Sequence, residues 1–209
     1  MRDPLDRYYT PFALARACVG AWWQHAQVSH AFEPSLGGGA FVEALQAHGV
    51  TVAGCDVDPD ALGLRAVQSS TIGDFLRVSP GHCSRLLGAS VPAVVGNPPY
   101  AEAEAHVRHA LEVTDRHVLF LLRASFLGSR RRIRGLWRDH PPRRVWWICP
   151  RPSFTGDGKT DGAEYALFWW DTEHKGEPVI DWLRWSGVTD EREHLERMGQ
   201  SVLFGGGDE

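Results

Sequence analysis

The sequence predicts an α/β domain built on a mostly parallel sheet with helices on both faces. Short, near-continuous apolar runs recur between helical patterns, as strands buried on both faces do. Three successive glycines, Gly37 to Gly39, follow the first of those runs, where such folds turn from strand into helix. With 209 residues, of which 43% are hydrophobic, the chain is long enough for one well-buried core and short for two. A single domain over residues 1–209 is expected.

The elements follow in order. Thr10-Pro11 ahead of FALARACVGAWWQHAQ reads as an N-cap with proline at the first helical position, predicting an opening helix to about Gln27. Strands are expected at Ala31–Glu33, Thr51–Asp56, Ser70–Ile72, Ala93–Val95 and Val118–Leu122. Helices are expected between them at Phe41–Ala47, Asp60–Gln68, His82–Leu87 and Ala103–Thr114. After Arg123 come an arginine-rich helix candidate, the run VWWIC, the polar SFTGDGKTDG and the run EYALFWW. A loop joins the two apolar runs, so they are expected to pair antiparallel at one edge of the sheet. The tail, Val202 to Glu209, ends GGGDE and is expected to fray.

Composition excludes several classes. The longest apolar runs fall far below the roughly 18 residues of a membrane span, and the N-terminus MRDPLDRYYTPF has no apolar h-region, so a cytoplasmic protein is expected. Cys18, Cys55, Cys83 and Cys149 form no C-x-x-C pair and read as buried small hydrophobes. His106 and His109 lie one helical turn apart, but no metal is implied. The net charge of -4 does not favour nucleic acid, yet its distribution is uneven. Arg130, Arg131, Arg132, Arg134, Arg138, Arg143 and Arg144 fall in one stretch, which reads either as a phosphate-binding face or as a solvated helix and turn.

Four motifs sit at expected strand ends. FEPSLGGGAFVEAL places its glycines where a backbone can approach a ligand and a helix start offers free amides. A dinucleotide fingerprint would need glycine at position 42, which is Val42, and this weakens a nicotinamide or flavin reading. In VAGCDVDPD, Asp56 is placed to accept both hydroxyls of a ribose, whereas Asp58 reads as a helix cap. In IGDFL, Asp74 has the acceptor for an adenine amino group, and Phe75 a ring to cover it. The last motif, NPPY, follows the fourth strand. Pro98 and Pro99 make the backbone rigid and extended, leaving carbonyls and the Asn97 side chain as directed acceptors, while Tyr100 supplies an aromatic face. This suits a conjugated NH2 group, whose nitrogen becomes nucleophilic when its hydrogens are drawn aside, attached to a ring that stacks on Tyr100.

Tyr9-Thr10-Pro11, FEPSLGGGAF, CDVDP, GDFL and GNPPY, in this order and spacing, resemble the S-adenosylmethionine-dependent amino-methyltransferases, in particular the N6-adenine DNA methyltransferases of bacteria and phages. The resemblance covers roughly residues 8 to 125. It implies the class I, Rossmann-like methyltransferase fold of seven strands, the seventh antiparallel at the edge. It implies further that Thr10, Pro11, Pro34 and the turn with Gly37 and Gly39 hold the methionine end of the cofactor, with Glu33 beside it. Asp56 would bind the ribose, Asp74 and Phe75 the adenine, and Asn97, Pro98, Pro99 and Tyr100 the target amine and its base. The stretch RPSFTGDGKTDGAEYALFWW resembles a late aromatic motif of the same enzymes. That makes Phe154 a second face for a flipped base, with Thr155 to Gly162 as a cover, or else an ordinary core aromatic. Arg130, Arg131, Arg132 and Arg134 would hold the DNA backbone, and RNA adenine, the N4 amine of cytosine and a protein glutamine are the alternative substrates, since each presents a conjugated NH2. A non-catalytic cofactor-binding subunit is the competing reading. C5-cytosine chemistry is set aside because no cysteine lies near NPPY and Cys149-Pro150 reverses the Pro-Cys order.

Overall fold

A computed structural model describes residues 9–154 and 162–186. Eight strands form one sheet: β1 (His30–Glu33), β2 (Thr51–Asp56), β3 (Ser69–Ile72), β4 (Ala93–Gly96), β5 (His117–Arg123), β6 (Arg144–Cys149), β7 (Tyr165–Asp171) and β8 (Val179–Arg184). Their spatial order is β3-β2-β1-β4-β5-β7-β6-β8. From β3 through β5 every pairing is parallel, as the strand-helix alternation requires. β7 then runs antiparallel to both neighbours, β5 and β6.

Helices cover both faces: α1 (Phe12–Trp23), α2 (Ala40–Gln46) and the single turn α3 (Gly63–Ala66), then α4 (Pro80–Leu87), α5 (Ala103–Val113), α6 (Arg130–Arg134) and α7 (Leu136–Asp139). The strand period of two divides the core between them. On β5, Leu119 and Leu121 pack with Leu14, Trp22 and Phe41 of α1 and α2, whereas Val118, Phe120 and Leu122 pack with Val107 and Ala110 of α5. The same alternation splits Tyr165, Leu167 and Trp169 from Ala166, Phe168 and Trp170 on β7.

Several expectations are corrected. The sheet has eight strands rather than seven, and β7 lies inside it, with β8 taking the edge beside β6. β8 carries weak apolar patterning, with Ile180 and Trp182 60% and 68% exposed, because an edge strand buries little. The opening helix ends at Trp23, and Pro11 rather than Thr10 is its N-cap, with no side-chain cap bond. The Thr10 hydroxyl is taken instead by Asn97. Of Asp60–Gln68 only the turn Gly63–Ala66 is helical, since the Gly63 amide donates to the Gly37 carbonyl at 2.8 Å and pins that turn beneath the glycine loop. The arginine-rich helix is broken in two at Gly135. Cys149 is exposed, at the end of β6, while Cys18, Cys55 and Cys83 are buried. The tail from Val202 lies outside the described residues.

Candidate active site

The order of the sheet reverses between β1 and β4, which pair directly while their following segments lead to opposite faces. Such a switch point opens a crevice at the carboxyl ends of the strands. A cavity of about 450 Å³ lies there, lined by Thr10, Glu33, Pro34, Gly37, Asp56, Asp74, Asn97, Pro98, Pro99 and Tyr100 among others. Residues far apart in sequence thus share one chamber.

Its first wall is the loop from β1 to α2. Gly37 and Gly39 have φ of 46° and 82°, which side chains with a Cβ rarely adopt, so the turn requires glycine at both. The Gly37 amide donates to Asp56 Oδ2 at 2.8 Å, and the Asp58 amide donates to Oδ1 at 2.8 Å. Two backbone donors thus fix the Asp56 carboxylate at the end of β2 with lone pairs left for further donors. Asp58 accepts from the Asp60 amide at 3.0 Å, the capping role read from the sequence.

Glu33 is 2% exposed. A backbone hydrogen bond from Val42 reaches it, but Oε2 has no partner among the described residues. Burial foremost, and then the Asp56 charge, push its carboxyl well above the ordinary range. A buried carboxylate oxygen without a donor, facing a cavity, is a ready site for a cationic group.

The opposite wall is the segment after β4. Asn97 Nδ2 donates to Thr10 Oγ1 at 3.1 Å across 87 residues of chain, which makes Oδ1 the acceptor end of the side chain. Pro98 is buried and Tyr100 half-buried. The Tyr100 ring has the Arg123 guanidinium 5.3 Å from its centroid and the Tyr165 ring at 5.6 Å. Phe154 packs against Tyr165, with 4.7 Å between ring centroids, and does not line the chamber. Of the expected cover, Thr155 to Gly162, all but Gly162 lies outside the described residues.

At the third strand end Asp74 lines the cavity and accepts from the Leu76 amide at 2.9 Å. Phe75 does not line it: the ring is buried against Phe32 and the two histidines His106 and His109. His106, from α5, takes the lining place instead, with Nδ1 3.2 Å from the Glu102 carbonyl. His109 meets the Val78 carbonyl at 2.8 Å. Pro11 and Gly39 shape the walls without lining them. Sequence reasoning missed His106 and Val57. The latter is a cavity-lining apolar residue left 52% exposed, and the signal for it was an aliphatic side chain directly after the acid that ends β2.

The arginine run divides. Arg131 and Arg132 pair with Glu104 of α5, at 2.7 and 3.6 Å, and Arg132 also donates to the Phe126 carbonyl and lies over its ring. Arg143 and Arg144 are held by Asp171 and Asp181 in the sheet, and Arg138 by Asp139. Arg130 and Arg134 are exposed.

The chain is similar in structure to a class I S-adenosylmethionine-dependent methyltransferase of Listeria monocytogenes, described as putative, which aligns over 94% of this chain and 71% of its own at a TM-score of 0.62 and 14% identity. The fold is that of the class I methyltransferases. A type I restriction-modification system methyltransferase subunit from Streptococcus thermophilus aligns over 83% of this chain and 47% of its own, with TM-score 0.65 and 13% identity. By sequence, the chain is 33% identical over 113 residues to the type II methyltransferase M.TthHB8I of Thermus thermophilus, a match covering 51% of this chain. The match spans about a quarter, 24%, of that relative's length. No family model matches the sequence. The likeness to methyltransferases read from the motifs is thus borne out in the class I methyltransferase fold and in a curated methyltransferase relative.

Proposed function

We propose that the protein transfers a methyl group from S-adenosylmethionine to the exocyclic N6 amine of adenine in DNA. The observation that carries this reading is the facing of two walls in one chamber: carboxylates at the ends of β1, β2 and β3, and the NPPY segment at the end of β4. The residues fit the cofactor, because Glu33 Oε2 is a buried acceptor without a donor, suited to an ammonium group, and Asp56 is held with acceptor capacity for ribose hydroxyls. Asp74, His106 and Val57 line the same chamber and would meet its adenine. When bound, S-adenosylmethionine supplies an electrophilic methyl group on a sulfonium.

The chain's own part is acceptance and alignment. Asn97 Oδ1 and the Pro98 carbonyl accept the two N–H bonds of the amine, which localises the nitrogen lone pair, and Tyr100 stacks on the base. The nitrogen would take the methyl that the bound cofactor supplies and then shed its extra proton to solvent, because the Asn97 and Pro98 oxygens orient the amine but are too weakly basic to keep a proton. Positioning and electrostatics supply the catalysis. A base inside a duplex cannot reach this chamber, so the target is flipped or single-stranded. The exposed Arg130 and Arg134 would serve the phosphates of the strand that carries it. The protein is read as a cytoplasmic enzyme; no helix among the described residues is long and apolar enough to cross a membrane.

The test is transfer of isotope-labelled methyl to DNA, RNA and protein in parallel, with mass spectrometry of the digested products. N6-methyladenine from DNA supports the proposal, while label on RNA, cytosine N4 or glutamine overturns the substrate. With Asn97→Ala, transfer is expected to fall by at least about 10²-fold while S-adenosylhomocysteine still raises the melting temperature. Activity that survives would refute the role of Asn97, and a wild type inactive on every acceptor would favour a binding subunit.

A further inference from the structure

The chamber does not close at Tyr100. A second depression of about 280 Å³ shares Tyr100 and Ala101 with it and continues past Arg123, Ser125 and Arg131. A third, of about 820 Å³, shares Glu104 and Arg131 with the second and lies between α5 and α6. Adjoining through these shared residues, the three depressions make a row, here a trough, that leads away from the NPPY segment and is crossed by the Arg131–Glu104 ion pair.

The far end of the trough is strongly basic on a chain whose net charge is -4. Arg108, Arg130, Arg131 and Arg134 line it, with Glu104 as the one carboxylate. Glu104 accepts from Arg108 Nε and Nη2 at 3.2 and 3.1 Å and from Arg131 Nη2 at 2.7 Å, which fastens α6 against α5. One carboxylate neutralises one charge, so the excess stays positive. Arg130 and Arg134, both exposed, make no ion pair among the described residues. Arg108 lies against Gly135, where a Cβ would come within 3.2 Å of its Nη2, so the break between α6 and α7 leaves the floor open to that guanidinium. Planar forked donors held along a groove, with few acids among them, match phosphodiester oxygens.

We propose that this trough is the track for the sugar-phosphate backbone of the strand carrying the target base, with Arg108, Arg130 and Arg134 on its phosphates and the base leaving the track at Tyr100. The inference rests on the nucleic-acid reading above. It assigns Arg108, outside the sequence-level arginine run, to the interface and removes Arg132, Arg138, Arg143 and Arg144, whose guanidiniums serve the fold.

The experiment measures the affinity of the full chain for labelled single-stranded DNA and RNA oligonucleotides across a salt series. Wild type is compared with Arg108→Gln, with the double variant Arg130→Gln, Arg134→Gln, and with Arg85→Gln on α4 as a remote charge control. The slope of log K against log salt is expected to shrink by about 0.7 for each phosphate no longer neutralised. Affinity should drop by roughly tenfold or more for the double variant at low salt, while Arg85→Gln matches wild type. Stabilisation by S-adenosylhomocysteine should be the same in all four proteins, which excludes misfolding. A wild-type slope in both trough variants overturns the track, even if methyl transfer to nucleic acid is intact. A wild type that binds the strand through these arginines and transfers no methyl group leaves the track standing and defeats the activity. A wild type that binds no strand overturns both.

Discussion

Replacing Glu33 by glutamine probes the electrostatics of the chamber. The carboxyl is 2% exposed; burial first and the Asp56 charge second hold its pKa well above the ordinary range, against a backbone hydrogen bond from Val42. In unfolded chains a glutamate titrates near 4.3. Between that value and the raised folded value the folded protein binds more protons than the unfolded one. Stability therefore falls as pH rises through the window, by up to about 1.4 kcal/mol per pH unit, and levels off above it. Glutamine has the same shape and no titration, so Glu33→Gln is expected to gain on the wild type as pH rises. Urea unfolding of both proteins at intervals between about pH 4.5 and 8 reads the difference directly, and any fixed cost of the new amide appears only as an offset. A cationic ligand reverses the balance, because it favours the carboxylate. Titration of S-adenosylhomocysteine in buffers of different ionisation enthalpy should then reveal proton release from the wild type and none from the variant. A stability difference constant with pH, together with no proton release, would refute this account of Glu33.

Thr10→Val removes the acceptor of the 3.1 Å bond from Asn97; it should cost about 1 kcal/mol of stability but lower kcat at least about tenfold, as single-turnover kinetics and melting curves can separate. Gly96→Ala would set a Cβ 3.3 Å from Glu33 Cγ and from Pro34 Cδ. Overpacking there should destabilise the fold by about 1–3 kcal/mol and weaken S-adenosylhomocysteine binding, read by urea unfolding and calorimetry. Burial chiefly lowers the pKa of His117 to about 4, so between that value and its unfolded value near 6.5 the unfolded chain binds the extra proton. Stability should decrease as pH falls across that window, by up to roughly 3 kcal/mol, and His117→Gln should flatten the slope in denaturation measured from pH 7 to 4.

The elements legible in the sequence are those whose burial pattern stands alone. The strand at Thr51–Asp56 matches its expected bounds at both ends because all but its first residue are buried, and the other parallel strands differ by one residue at one or both ends. The first turn of α4 shows what a local signal carries: Ser79-Pro80 caps it through the His82 amide, two residues ahead of the expected start at His82, because a proline that breaks a helix interior is at home in a first turn. What resists reading depends on partners remote in sequence. Thr10 has the chemistry of a cap, and only the arrival of Asn97 beside it decides otherwise. Arg132 and Arg143 are indistinguishable from Arg130 in the sequence until Phe126, Glu104 and Asp171 are placed around them. Phe75 follows the acid of its motif as an adenine-facing ring would, but the 3-10 turn capped by Asp74 points it into the core and leaves the wall to His106.

The glycines give the same lesson in a sharper form. The sequence draws attention to Gly37 to Gly39, and two of those three do adopt backbone angles that demand glycine. The segment Glu33 to Leu36 is nevertheless held in place by three others, Gly54 in VAGCDVDPD, Gly96 in GNPPY and Gly63 outside any motif, none of which stands out in the sequence for its close contacts. A Cβ on Gly54 of β2 would collide with the Glu33 carbonyl, one on Gly63 of α3 would lie 2.5 Å from the Leu36 carbonyl, and one on Gly96 would press on Glu33 and Pro34. Each comes from a different element, and together they let the strand ends close around the loop so that the Glu33 carboxyl is buried without a donor on one oxygen. The cost of that burial falls on the unliganded protein and is relieved by a cation. The shape of the chamber and the unpartnered Glu33 oxygen proposed to take the cofactor's ammonium group therefore have one physical origin, in close backbone contacts that the sequence records only as glycines.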